Sequence, residues 1–104
     1  MNQEKNIKIL STEEITQKLE EFPGWEYGND KISKQFEFKS FLAGIDFVNS
    51  LASFCEEIDH HPDIHIAYKK IRFELQRFDV GGKVTDRDFT VARKIEELYK
   101  NYTV

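Results

Sequence analysis

The chain has 104 residues, 39% of them hydrophobic, with nine Phe and four Tyr against a single Met; this is the composition of one globular domain with an aromatic core, not of a disordered segment. A net charge of −4 offers no general attraction to nucleic acid or to an anionic membrane, no apolar run approaches a membrane span, and Met1 to Ile9 is polar, unlike a secretory signal. The single cysteine, Cys55, cannot close an internal disulfide, so the chain reads as cytoplasmic.

Residues 1–10 read as a flexible leader and 11–104 as one domain. The first firm signal is Ser11-Thr-Glu-Glu14, a capping box in which Ser11 is the N-cap and Glu14 reaches back to it; Leu10 and Ile15 are spaced as a hydrophobic staple. A helix from about Thr12 to Glu21 follows, stopped by Pro23-Gly24. Trp25 to Tyr27 reads as a strand, Gly28-Asn29-Asp30 as a turn, and Ile32 to Phe38 as the returning strand. In that strand Ile32, Phe36 and Phe38 share a face that Lys34 interrupts.

Ser40 is the expected N-cap of a long helix ending near Ile58. Phe41, Ile45, Val48, Ala52 and Cys55 form one apolar stripe, and Phe47, Leu51, Phe54 and Ile58 a second. Two stripes exceed what one sheet face needs, which points to a subunit interface or to a wide buried face in a monomer. Cys55 reads as a small core residue.

After Pro62 the period changes to two: Ile64, Ile66 and Tyr68, then Ile71, Phe73 and Leu75, alternate with polar residues. A two-residue turn at Lys69-Lys70 would set Tyr68 against Ile71, Ile66 against Phe73 and Ile64 against Leu75 on the core side, with His61 opposite Phe78. Gly81-Gly82 ends the second strand. Thr85 and Asp88 then cap a last helix running to about Tyr99, with Phe89, Ala92, Ile95, Leu98 and Tyr99 inward. The predicted class is α+β in the order α-β-β-α-β-β-α: a four-stranded antiparallel sheet with helices packed on one face.

Between the long helix and the third strand lies Glu56-Glu-Ile-Asp-His-His-Pro62. A histidine before proline is pushed out of the helical region, so the pair His60-His61 sits at a forced helix exit. Such a pair can simply be solvated. It is also the chain's main supply of groups that exchange protons near neutral pH.

Glu56, His60-His61-Pro62, Tyr68, position 78 and Asp88 together resemble the pattern of the pterin-4a-carbinolamine dehydratase (4a-hydroxytetrahydrobiopterin dehydratase) family. That pattern is an acid, three residues, His-His-Pro, a short gap, an aromatic, nine residues, a His or Trp, and later an Asp. Gly24-Trp25, Lys34 to Phe38 and Gly81-Gly82 match its surroundings, and the resemblance runs from Ser11 to Leu98. It implies the same element order, and a reaction in which 4a-hydroxytetrahydrobiopterin loses water to give quinonoid dihydropterin during tetrahydropterin recycling.

No metal or organic cofactor is implied, and the implied assembly is a homodimer or homotetramer. The carried-over catalytic residues are His60, His61 and Glu56, with Pro62, Phe78, Asp79, Trp25 and Asp59 lining the substrate site. Glu56, four residues before His60, is placed to orient or charge one histidine, with Asp59 a secondary candidate. Phe78 stands where the family carries a third histidine, and the segment from Gly81 to Asp88 is one residue longer than the usual form. The alternative is a catalytically weak or silent member acting as a binding or dimerisation module.

His65 lies roughly 13 Å along the strand from His61 at about 3.3 Å per residue, too far to replace a third histidine. A zinc site built from His60, His61 and His65 is disfavoured, since adjacent histidines seldom aim at one ion. Asp88 has an ordinary role as a cap.

Overall fold

The computed structural model describes residues 8–76 and 83–102. Its elements are α1 (Thr12–Leu19), β1 (Glu26–Gly28), β2 (Lys31–Glu37), α2 (Phe41–Ile58), β3 (Asp63–Ala67), β4 (Lys70–Leu75) and α3 (Asp86–Tyr99). They form one antiparallel sheet in the order β1-β2-β4-β3 with the helices on one face, the α-β-β-α-β-β-α arrangement read from the sequence.

Local signals produce these elements. The Ser11 hydroxyl accepts from Glu14 N–H at 3.1 Å while the Glu14 carboxylate accepts from Ser11 N–H at 2.9 Å, closing the capping box at the start of α1. Asn29 and Asp30 both take positive φ, the turn conformation that matches strand twist and joins β1 to β2. Lys34 enters the inward row of β2 without burying its charge. Its stem runs by Phe36, with the ammonium 4.8 Å from the ring centroid, and the nitrogen ends on the Glu96 carboxylate and the Pro23 carbonyl.

The core is aromatic, as the composition predicts. Phe36, Phe38, Phe47 and Phe73 are buried and meet edge-on or tilted, with Tyr99 closing over them. From α2 the buried positions are Gly44, Phe47, Leu51 and Cys55. This face lies between the two predicted stripes and includes Gly44, where a Cβ would stand 2.9 Å from Ile71 Cδ1 and force that side chain to shift. Phe41 and Leu42 are consequently turned outward, Leu42 with 74% of its surface exposed.

The second hairpin differs from the expected register. Its turn is Tyr68-Lys69, not Lys69-Lys70, because Tyr68 takes the left-handed conformation at φ 57°. Ile66 therefore pairs with Ile71 and Ile64 with Phe73, each moved by two residues from the expected partner, so every side chain keeps its predicted face. Burial is the larger departure: Ile64, Ile66 and Tyr68 are exposed, Tyr68 by 70%, because β3 is a sheet edge that the helix layer does not cover.

The expected leader is ordered at its end. Ile9 bridges Thr85, and Leu10 is buried in the core. The remainder of the leader, together with Phe78, Asp79 and Gly81-Gly82, lies outside the described residues. Among the described residues no helix is long and apolar enough to cross a membrane.

Candidate active site

The site is built by the way α2 ends. Asp59 follows Ile58 in the left-handed region, φ 54° and ψ 50°, and its N–H donates to the Glu56 carbonyl at 3.3 Å. His60 N–H then reaches back to the Cys55 carbonyl at 3.0 Å, the six-to-one bond of a helix C-terminus closed by a left-handed residue. Asp tolerates this conformation better than most residues, and the reversal sends two adjacent side chains in opposite directions. Pro62 follows and starts the chain into β3.

His60 turns inward and is 5% exposed; its Nε2 lies 2.5 Å from Asp88 Oδ1. Asp88, on the first turn of α3, is fully buried, and its Oδ2 accepts from Thr85 N–H at 2.8 Å. The capping role predicted for Asp88 is therefore real but uses only one carboxylate oxygen. The other holds an imidazole from a segment 28 residues away. Arg87, beside Asp88, donates to the Ile58 carbonyl at 2.7 Å, tying the end of α2 to the start of α3.

His61 turns outward. Its Nε2 stands 2.6 Å from Glu56 Oε2, with the two side chains 50% and 77% exposed. Four-residue spacing had suggested a Glu56–His60 contact, as on a continuous helix. The left-handed turn at Asp59 ends that helix, and Glu56 meets the residue one further along. The structure thus brings together Glu56, His61, His60 and Asp88 as two histidine–carboxylate pairs on one chain reversal, with Asp59 supplying the backbone that aims them. Each pair engages Nε2 of its histidine, and the His61 ring stays half exposed to solvent.

Other candidates fall elsewhere. Trp25 is buried in the core, edge-on to Phe36, with its indole N–H on Glu96 Oε2 at 2.8 Å; it packs at the β1 side of the sheet, not with the histidines. His65 lies on the open sheet face with Nε2 3.3 Å from Glu74 Oε1. The Lys31 ammonium, with help from Arg72 and His65, draws the Glu74 carboxyl down to about 2. Burial pushes the Cys55 thiol up to about 11, which keeps it protonated and unreactive at neutral pH. Among the described residues no three His, Cys, Asp or Glu side chains group closely enough to hold a metal ion.

Comparison with known proteins covers nearly the whole chain. Residues 8–98 match the family model described as pterin 4 alpha carbinolamine dehydratase. A relative from Picosynechococcus sp. is 43% identical over 89 residues, covering 86% of this chain and 96% of its own length. One from Sulfolobus acidocaldarius is 39% identical over 89 residues, covering 86% and 97%. Both are provisionally named as pterin-4-alpha-carbinolamine dehydratases. The crystal structure of a transcriptional coactivator/pterin dehydratase from Brucella melitensis superposes with a TM-score of 0.81 at 29% identity, covering 86% of this chain and 97% of that one. A pterin dehydratase-like protein described as a RuBisCO assembly factor of the alpha-carboxysome shares the fold at a TM-score of 0.59 and 23% identity, covering 72% and 88%.

Proposed function

The chain belongs to the pterin-4a-carbinolamine dehydratase family, and on that premise we propose that it dehydrates a 4a-hydroxytetrahydropterin to quinonoid dihydropterin by histidine acid–base catalysis. The observation that carries this reading is the pair of adjacent histidines, each held through Nε2 by its own carboxylate. The reaction delivers a proton to the 4a-hydroxyl, which leaves as water, and removes one from N5. Groups titrating near neutrality suit both transfers.

His61 is the acid in this scheme: it is open to solvent, and the Glu56 carboxylate holds its ring through Nε2 at 2.6 Å. His60, oriented by Asp88 as a carboxylate orients the histidine of a catalytic dyad, takes the N5 proton. Phe78 and Asp79 join the pterin-binding set by their place in the sequence pattern, with Pro62 and Asp59 flanking the histidines in the chain. No metal or organic cofactor enters the scheme. The enzyme would work in the cytoplasm as a homodimer or homotetramer, for which the exposed Phe41 and Leu42 of α2, Ile64 and Ile66 of β3 and Tyr68 of the turn after it supply an apolar surface.

The test is the rate of quinonoid dihydropterin formation from enzymatically generated 4a-hydroxytetrahydropterin, with His60→Ala as control. A rate well above background that is lost in the variant is expected; a background rate from folded protein would overturn the proposal. The second reading, a binding or assembly module with weak or no turnover, is favoured by Phe78, which cannot exchange a proton. Phe78→His is expected to raise the rate, since a positioned acid or base contributes about 10² to 10⁴.

A further inference from the structure

We infer that the segment Lys8 to Leu10, extended around an isolated β-bridge at Ile9, is a positioning element for the buried His60–Asp88 pair, an inference whose catalytic consequence rests on the proton-transfer role proposed for His60. Ile9 faces Thr85 in an antiparallel bridge, and the bonds that make it come from the flanking residues. Leu10 N–H donates to the Val84 carbonyl at 3.0 Å, and Asp86 N–H donates to the Lys8 carbonyl at 3.1 Å. Ile9 and Thr85 are thus a non-hydrogen-bonded pair, in which each residue turns its own N–H and C=O away from its partner.

For Thr85 that direction is inward. Its N–H meets Asp88 Oδ2 at 2.8 Å, and the other oxygen of the same carboxylate holds His60 Nε2. The segment fixes the plane of Thr85, Thr85 fixes one oxygen of Asp88, and Asp88 fixes the imidazole. Ile9 leaves its side chain largely in solvent, so what the segment contributes here is backbone geometry and not burial.

Both ends of the segment are anchored. Lys8 N–H donates to Asp86 Oδ1 at 3.1 Å, and its ammonium pairs with Glu14 Oε2 at 2.6 Å. Leu10 enters the core beside Ile15. The contact therefore joins the first residues of the described chain to the start of α3, the turn that carries Asp88. A shift of about 1 Å in such a chain of contacts is enough to cost about 10²-fold in rate.

The experiment compares proline with alanine at each of the two donors. Leu10→Pro removes the N–H that bonds Val84, whereas Leu10→Ala loses the same packing and keeps that N–H. Lys8→Pro and Lys8→Ala make the comparison at the anchoring bond from Lys8 N–H to Asp86 Oδ1, which only the proline removes, and leave the core untouched, so the test survives if Leu10→Pro does not fold. The readouts are the ¹⁵N ring resonances of His60 in the full-length protein at neutral pH, and kcat and KM for dehydration. Each proline variant is expected to move the His60 Nε2 resonance away from that of its alanine counterpart. Leu10→Pro is expected to lower kcat about tenfold beyond Leu10→Ala with KM little changed, and Lys8→Pro to do so by less. Identical His60 resonances within each proline–alanine pair would overturn the inference. A resonance that moves while the rate stays constant would leave the positioning role standing and remove His60 from proton transfer.

Discussion

Two histidines adjacent in sequence live in opposite environments. His60 and Asp88 are both buried, come from different elements and close a contact across the fold; His61 and Glu56 are both exposed and come from one turn. Distances alone hide this, since the two pairs measure 2.5 and 2.6 Å. Out of water a partner lost is a desolvated group left unpaired, whereas at the surface water replaces it. The inner pair should therefore matter to both stability and chemistry, and the outer pair to chemistry alone.

The largest effect is expected from Asp88→Asn. It keeps the shape of the side chain but removes the charge that holds His60, and a buried group deprived of its partner costs about 1–3 kcal/mol. Thermal unfolding should report that loss, and dehydration should slow by about 10² to 10⁴, the contribution of one positioned acid or base. Normal stability and rate would mean that the two pairs do not differ as their burial implies.

His61→Ala should separate the two properties. The rate is expected to fall by about 10² to 10⁴. The melting temperature should stay close to that of the unaltered chain, because exposed pairs contribute about 0–1 kcal/mol. A large stability loss here would show that the outer pair is structural after all.

The same contrast explains what the sequence reveals. Ser11 with Glu14, Ser40 before α2, and Asn29-Asp30 are local signals, and each produces the expected element. The outer pair is nearly local: four-residue spacing points from Glu56 to His60, but the left-handed turn at Asp59 brings His61 to it instead. The inner pair spans 28 residues and its carboxylate already had a sufficient explanation as a cap, so only the spacing of Asp88 in the family pattern hinted at a second duty. In the core the periodicity of α2 supplies Phe47, Leu51 and Cys55, while the burial of Gly44 against Ile71 is a matter of packing that no apolar pattern marks. The register of the second hairpin turned on Tyr68 adopting a conformation that aromatic residues seldom take.

Glu56→Gln sharpens the outer pair further. It keeps a group able to bond the imidazole and removes the negative charge beside it. The expected loss is about tenfold in kcat. Because Glu56 is exposed, unfolding should be unaffected. A kcat equal to that of the unaltered chain would show that a neutral partner serves the imidazole as well as the carboxylate does.

The smallest effect belongs to a third histidine–carboxylate contact, His65 with Glu74 at 3.3 Å on the open sheet face. Glu74 also holds Lys31 at 2.9 Å and Arg72 at 3.1 Å, and the Lys31 bond is the main reason its carboxyl lies near 2. A carboxyl lowered from its ordinary value contributes stability that is complete above about 4.5 and is lost as pH falls through the folded value. His65→Ala leaves the Lys31 and Arg72 contacts standing, so at neutral pH stability should move by less than about 0.5 kcal/mol. Dehydration should not change, because His65 touches neither pair. A substantial rate loss in His65→Ala would extend the site onto the sheet face and make the contrast between inner and outer histidines incomplete.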